Sequence, residues 1–312
     1  MTPPTRAYLA ELTLRLSEGL AQLDESRRAR HADWIRRGQR DDGGFPGREG
    51  ESDLYYTGFA LRSLAVLGEL HGPVADRALR FLESRLSGPG TIVDLLSLVY
   101  GAFLLDMAAG LDIFAKAPDG LRERWIGVFE SLRRPDGGYA KGPDGAASST
   151  YHTFLVMICL ELLDAPIPEP DRIAAFLLSQ RAEGGGFLEI RAGKRAGTNP
   201  TAAAIGALRI LGGLTPPVRD ETAEFLAGMV MDDGGFRANS RIPISDLLST
   251  FTGLWTLIDV GAIAQIDRDE TRRFVESLEG PSGGFRAADW DDCPDVEYTF
   301  YGLGSLAVLH RL

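Results

Sequence analysis

Two carboxylates open the last apolar stretch of the chain, in Asp295-Val296-Glu297-Tyr298-Thr299. On a helix with 3.6 residues per turn, side chains two apart point about 200° apart, so only one can aim squarely off a given face. Asp295, nearer the helix start, is placed to cap the free N–H groups. Glu297 is then the candidate acid. Apolar enclosure disfavours its charged form and raises its pKa, leaving it a proton to give. The positive end of the helix dipole opposes that shift. Asp246, Asp53 and Asp94 hold comparable places at the starts of earlier apolar stretches, and His152 is the one histidine so placed. Tyr55, Tyr56, Tyr298 and Tyr301 crowd the same starts, where aromatic faces attract cations. Arg191, Lys194 and Arg241 lie in the turns just before, and anions bind at helix N-termini. Each of these has a plainer role open to it. An Asp near a helix start caps it, a lone His is a satisfied structural residue, and a basic loop is solvated.

What positions these residues is a repeat. Asp42-Gly43-Gly44-Phe45 returns as Asp136-Gly137-Gly138-Tyr139, Gly185-Gly186-Phe187, Asp233-Gly234-Gly235-Phe236 and Ser282-Gly283-Gly284-Phe285. Copies stand about 48 residues apart, a period that belongs to repeat architectures. After each turn comes a polar run and then an apolar helix with spacing such as Tyr55, Phe59, Leu61, Leu64, Leu67. Amphipathic stretches alternate with the apolar ones: residues 25–37, 73–86, 121–132, 171–180, 218–231 and 267–278. Six amphipathic and six apolar helices result, preceded by an extra helix within residues 1–24 that Pro3 and Pro4 bound. Apolar helices fit an inner layer and amphipathic helices an outer one facing water. The last inner helix has no polar capping repeat after it, which an open solenoid would need, so a closed ring is expected. The five aromatic residues of the turns should all pack between the layers. No linker divides the chain, and residues 1–312 read as one domain.

Composition narrows the partners. The net charge of -11 disfavours nucleic acid, which needs a basic stripe, and an anionic membrane. The two cysteines, Cys159 and Cys293, form no CxxC motif or ligand cluster. That usage suits a reducing compartment and sets no disulfide framework. The first residues lack the order of a signal peptide, and no run reads as long and apolar enough to span a bilayer. A cytoplasmic protein is expected.

The six-hairpin plan, the Gly-Gly-Phe turns and Gly43-Gly44-Phe45-Pro46-Gly47-Arg48-Glu49-Gly50 resemble the α/α toroid family. That family holds the protein prenyltransferase β subunits, with the Rab geranylgeranyltransferase β subunit nearest, and the squalene-hopene and oxidosqualene cyclases. Gln39-Arg40-Asp41-Asp42-Gly43-Gly44-Phe45 is similar to the cyclases' glutamine-to-aromatic motif, with Phe for Trp. The resemblance implies an all-α (α/α)6 toroid whose cavity holds an isoprenoid or isoprenoid diphosphate. A helical α-subunit-like partner or a peptide acceptor goes with the prenyltransferase branch. It also implies zinc on an Asp-x-Cys pair and a His, but here Leu248 follows Asp246 in place of Cys, and Tyr298 replaces His. No zinc or other cofactor is therefore expected. Arg241, Arg191 and Lys194 are the residues left for a diphosphate, while Pro243 stands in place of a basic residue. Pro294-Asp295-Val296-Glu297-Tyr298-Thr299 resembles the Pro-Asp-Val-Asp-Asp-Thr of squalene-hopene cyclase, with Glu297 in the place of the protonating Asp. Asp289-Trp290-Asp291-Asp292 spells the same pattern in the loop before, where solvated acids are expected, and Cys293 should be a solvated thiol. Three functions follow from the resemblance: a prenyltransferase-like protein without the usual zinc, a proton-initiated terpenoid cyclase using Glu297, and a non-catalytic lipid- or peptide-binding toroid. Chain length counts against the second, because cyclases of that class generally carry a further helical domain.

Overall fold

In the computed structural model, residues 6–88 and 90–311 are described. Pro3 and Pro4 lie outside them. Among the described residues thirteen α-helices follow one another. They are α1 (Tyr8–Leu20), α2 (Glu25–Arg37), α3 (Leu54–Val66), α4 (Pro73–Arg85), α5 (Ile92–Ala109), α6 (Leu121–Ser131) and α7 (Thr150–Leu162). Then come α8 (Pro170–Ser179), α9 (Thr198–Ile210), α10 (Pro216–Ala227), α11 (Leu247–Val260), α12 (Arg268–Ser277) and α13 (Val296–Arg311). One leading helix and six amphipathic–apolar pairs are what the repeat predicts. The described residues fall into two compact units, residues 6–8 with 126–276 and residues 9–125 with 277–311.

The turns are built alike. Phe45, Tyr139, Phe187, Phe236 and Phe285 are all 0% exposed, as expected. Burying each ring contributes about 1.5–3 kcal/mol. The backbone N–H of each donates to the hydroxyl of a threonine in the first turns of the apolar helix that follows: Thr57, Thr153, Thr201, Thr250 and Thr299, at 2.9 to 3.0 Å. The aromatic residue also faces the residue just before that helix in a short antiparallel pairing. Twice this is regular, in β1 (Phe45–Pro46) with β2 (Ser52–Asp53) and in β3 (Tyr139–Ala140) with β4 (Ser148–Ser149). Three times it is a single bridge, Phe187 to Gly197, Phe236 to Asp246 and Phe285 to Asp295. These pairings are too short to show as an alternating pattern in the sequence.

The two glycines have separate reasons. Gly43 has φ 91°, and a Cβ there would sit 2.1 Å from the carbonyl oxygen of Arg77. On Gly44 a Cβ would meet the Phe81 ring and Ser52 at 2.6 Å. In three turns an aspartate Oδ1 accepts from the second glycine's N–H and from a serine hydroxyl: Asp42 with Ser52, Asp136 with Ser148, Asp233 with Ser245. Where the aspartate position holds Gly184 or Ser282, the serine position holds Ala196 or Pro294. In the last turn His31 takes over. Its Nδ1 accepts from Gly284 N–H at 3.1 Å, so its Nε2 carries the hydrogen bonded to Glu279 at 3.1 Å.

In the unit of residues 9–125 and 277–311, α3 packs against α5 and α13. The leading helix buries Leu9, Leu12, Leu16 and Leu20 there. Thr13 shares a 2.5 Å hydrogen bond with the Tyr100 hydroxyl. A Cβ on Gly19 would lie 2.1 Å from the carbonyl oxygen of Ala307 on α13. One expectation is corrected here. The 18 residues Ile92–Ala109, with mean hydropathy 1.8, are long and apolar enough to cross a membrane by length and composition. Most of that helix is buried, against α3 and α4.

In the other unit α9 packs between α7 and α11. Tyr8 is anchored near the C-terminal ends of α9 and α11. Its hydroxyl donates to Asp259 Oδ2 at 2.7 Å and accepts from Trp255 Nε1 at 2.8 Å. Arg209 Nη1 donates to Asp259 Oδ1 at 2.6 Å. Burial, reinforced by the charge of Asp259, pushes the Tyr8 hydroxyl well above its ordinary pKa.

Candidate active site

The residues with most chemistry gather at the first turns of α3 and α13. Glu297 is half-buried. Its Oε1 accepts from the Tyr55 hydroxyl at 2.6 Å and, at the longer distance of 3.5 Å, from the Tyr301 hydroxyl. Oε2 has no hydrogen bond among the described residues. Burial raises the Glu297 carboxyl from its ordinary value. The Tyr55 hydroxyl works against that shift, the charge of Asp295 adds to it, and the Tyr301 hydroxyl and the Arg62 charge oppose it further. Apolar enclosure therefore wins over the tyrosine hydrogen bonds.

Aromatic rings surround this acid. Tyr55 stands edge-on to Tyr56 at 5.2 Å and to Phe59 at 5.0 Å. Phe59 meets Tyr301 at 5.4 Å, and Tyr301 meets Tyr298 at 6.0 Å. A Cβ on Gly47 would lie 2.5 Å from the Tyr56 ring, so the turn glycine makes the room that ring occupies. Edge and face contacts of this kind fix ring orientation.

Asp295 does the capping predicted for it. Oδ1 accepts from Tyr298 N–H at 2.9 Å, and Oδ2 accepts from Arg48 Nε at 2.9 Å. Burial raises its pKa, while the cap and the guanidinium draw it back. Arg48 also grips Asp291 with both terminal nitrogens, at 2.8 and 2.5 Å. Asp291 is 5% exposed, which corrects the expectation of solvated acids for its loop. The loop's other residues keep to that expectation: the Asp289 side chain and Trp290 are largely exposed, and so is Cys293. The sequence does not single out Arg48 as a site residue, because its partners lie more than two hundred residues away along the chain. The signal that could have found it is a basic residue directly after the turn glycine.

Arg62, two turns along α3 from Tyr55, is a second site residue that the sequence leaves unmarked. Its guanidinium carbon lies 4.5 Å from the Phe59 ring centre and 5.0 Å from that of Tyr100. Asp53 is the exposed N-cap of α3, accepting from Tyr56 N–H at 2.8 Å. Asp94 forms a capping box with Thr91 at the start of α5.

The remaining candidates lie in the other unit. His152 stands in the first turn of α7, half-buried, its pKa lowered by burial and by the charge of Lys141. Its Nδ1 is 2.7 Å from the Ser149 hydroxyl, which donates to Glu189. Burial raises the Glu189 carboxyl. Asp246 caps α11, with Oδ1 and Oδ2 taken by the N–H and hydroxyl of Ser249 at 2.7 and 2.9 Å. Both oxygens of Asp246 are thus engaged in the cap, and Leu248 two residues on is apolar. Arg191, Lys194 and Arg241 are all exposed. The Arg191 guanidinium is bonded to the carbonyl of Ser179.

A family profile, the prenyltransferase alpha-alpha toroid domain, matches residues 4–95, 78–211 and 201–312. No curated protein sequence matches. Candida albicans protein geranylgeranyltransferase-I, solved in complex with GGPP, superposes with a TM-score of 0.71 at 14% identity, over 90% of each chain. The type II terpene cyclase MstE from Scytonema, solved with geranylgeranyl dihydroxybenzoate, superposes with a TM-score of 0.60 at 14% identity, over 97% of this chain and 98% of its own. A protein from Actinoplanes gives a TM-score of 0.60 at 15% identity, over 91% and 98%. At such identities the likeness shows the fold alone, and that fold is the all-α (α/α)6 toroid expected from the repeats. The matched type II terpene cyclase chain is covered almost end to end, so the toroid there is built on a chain of similar length.

Proposed function

The chain belongs to the prenyltransferase alpha-alpha toroid family, and on that premise we propose that it binds an isoprenoid-derived ligand against the aromatic side chains around Glu297 and protonates it there. The reaction is a proton-initiated terpenoid cyclisation. Glu297 Oε2–H gives its proton to a carbon of an alkene, a C–H bond forms, and the π electrons leave a carbocation on the neighbouring carbon. Further alkenes of the same chain add to it, and loss of a proton ends the sequence, so product and substrate are isomers. Glu297 regains its proton from water. The faces of Tyr55, Phe59 and Tyr301 stabilise the cation by their quadrupoles. Asp295 and Arg48 act as positioning residues that hold the first turn of α13. No step calls on zinc. The two free cysteines suit a reducing compartment such as the cytoplasm.

The observation that carries this reading is the Glu297 carboxyl itself, half-buried, ringed by tyrosines, with one oxygen left to carry a proton. The test is incubation of the protein with geranylgeraniol and its carboxylic acid, with mass spectrometry for products of unchanged mass. Glu297→Gln keeps the shape and removes the acid. Turnover should fall by about 10²–10⁴-fold, the usual worth of a general acid. Undiminished turnover in that variant would sink the proposal.

A second reading is favoured by the likeness to the geranylgeranyltransferase solved with GGPP. In it the chain is a zinc-free prenyltransferase-like protein that takes an isoprenoid diphosphate through Arg191, Lys194 and Arg241 and works with a helical α-subunit-like partner or a peptide acceptor. Ligand binding without isomerisation, weakened by changing those three residues, is the result that would select it. Binding without any reaction or partner would leave a lipid-binding toroid.

A further inference from the structure

Arg62 has no role as a donor in the protonation step, and its charge opposes it, drawing the Glu297 carboxyl back down against the effect of burial. Its side chain is half-buried on α3, seven residues and so two turns beyond Tyr55, about 10 Å in rise. Its Nε is wholly shielded from solvent and has no acceptor. Its guanidinium makes no hydrogen bond or ion pair among the described residues. What it touches are the faces of Phe59 and Tyr100. Those rings are themselves held, Tyr100 by the Thr13 hydroxyl and Phe59 by Tyr55 and Tyr301. The guanidinium thus lies over aromatic rings while its donors make no hydrogen bond among the described residues.

A guanidinium carries five N–H donors in a planar fork that matches a carboxylate or phosphate. Withdrawing such a group from water without giving it acceptors is costly, and a charged group makes that cost larger. The other arginines near this site show the usual solution. Arg48 meets Asp291 and Asp295, and Arg27 and Arg30 meet Glu279. Arg62 alone among these four makes no ion pair or hydrogen bond to a carboxylate among the described residues, although its charge reaches Glu297, and it stands on the same helix face as Tyr55 and Phe59.

We propose that Arg62 is the recognition site for an anionic group on the ligand, so that the substrate is an isoprenoid bearing a carboxylate or a diphosphate. The anion sits on the fork of Arg62, and the chain runs past Phe59 toward Glu297. This rests on the reading that the cluster takes an isoprenoid. A consequence is orientation. With the charged end fixed two turns deeper along α3, the alkene presented to Glu297 is one remote from that end.

Calorimetric titration of the full-length protein with farnesol, farnesoic acid and farnesyl diphosphate tests this, in the natural sequence and in Arg62→Met and Arg62→Lys. Methionine keeps the apolar contacts of the side chain. The acid or the diphosphate should bind about 10–100-fold tighter than the alcohol, the worth of a charge-assisted hydrogen bond pair. Arg62→Met should abolish that preference and leave alcohol affinity within about threefold, and Arg62→Lys should restore part of it. Loss confined to the acid or to the diphosphate supports the proposal and names the headgroup. If alcohol and both anions bind equally to the natural protein, the proposal is overturned while the isoprenoid reading stands. The same holds if Arg62→Met leaves the preference intact. If none of the three binds, both fall. The comparison of ligands on the natural protein needs no variant, so a folding defect in Arg62→Met cannot mask the outcome.

Discussion

The repeated threonine is the place where one substitution can be made several times in nearly the same surroundings. Thr153, Thr201, Thr250 and Thr299 are each 0% exposed. Each hydroxyl accepts from the buried N–H of the turn aromatic at 2.9 to 3.0 Å and donates to the carbonyl four residues earlier at 2.5 to 2.7 Å. Valine is close in shape and lacks the hydroxyl. At Thr201, Thr250 and Thr299 the carbonyl four back also accepts the helical N–H, so losing the hydroxyl does not orphan it. The aromatic N–H has no such second partner and is left buried and unpaired, at about 1–3 kcal/mol. Relief from desolvating the hydroxyl offsets part of this, so a loss near 2 kcal/mol per site is expected. Serine keeps the hydrogen bond and loses one methyl, which costs about 1 kcal/mol. Valine should therefore be worse than serine at every site. A chain of this size need not unfold in one step, so amide exchange at Tyr139, Phe187, Phe236 and Phe285 is the sharper assay. Exchange should quicken in the valine variants by roughly 30-fold, the equivalent of 2 kcal/mol, and far less in the serine variants. Slower unfolding or unchanged exchange in the valine set would refute the view that this bond locks the repeat.

Other outcomes follow from the ion pairs and anchors. Burial opposes ionisation of Glu279, yet hydrogen bonds from His31 and Arg27 outweigh it and hold the carboxyl at about 2. The folded value lies below the unfolded one near 4.3, so its stabilisation is full above about pH 4.3 and lost as pH falls toward 2. Acid titration of Glu279→Gln should show a flatter loss of stability over that window than the natural protein. Arg48→Met leaves two buried carboxylates without their cation and should cost about 1–3 kcal/mol in denaturant titration, discounted from the buried-pair value because Arg48 is itself partly exposed. Tyr8→Phe orphans the Trp255 N–H and should cost about 1–3 kcal/mol, read as a lowered urea midpoint.

The fold was legible because it is written five times. A Gly-Gly-aromatic turn needs positive φ at one glycine and no side chain at the next, and only glycine meets both demands. Alternating apolar and amphipathic stretches then give the number and order of helices. What the repeat could not show are the places where one copy departs and something distant compensates. His31 does the work of the turn aspartate in the last copy, but it sits on α2, some 250 residues before the glycine whose N–H it accepts. Tyr8 reads as one more residue of a leading helix, and its bond to Asp259 belongs to packing that no local pattern encodes.

The same limit explains how the two carboxylates of α13 came apart into roles. From spacing alone, Asp295 and Glu297 are distinguished only by their angle around the helix and by which is nearer its start. Burial raises both, so burial cannot tell them apart either. The difference lies in their partners. Asp295 is committed through both oxygens, to a backbone N–H and to Arg48, and each bond favours its anion. Protonating it would break an ion pair that also fixes Asp291. Among the described residues the hydrogen bonds to Glu297 come from tyrosine hydroxyls, and both of them reach the same oxygen. Its other oxygen makes no hydrogen bond among the described residues, so a proton there displaces none. Arg48 is thus what makes one acid structural and leaves the other available, and it enters from a turn that the sequence marks only as the first copy of a repeat.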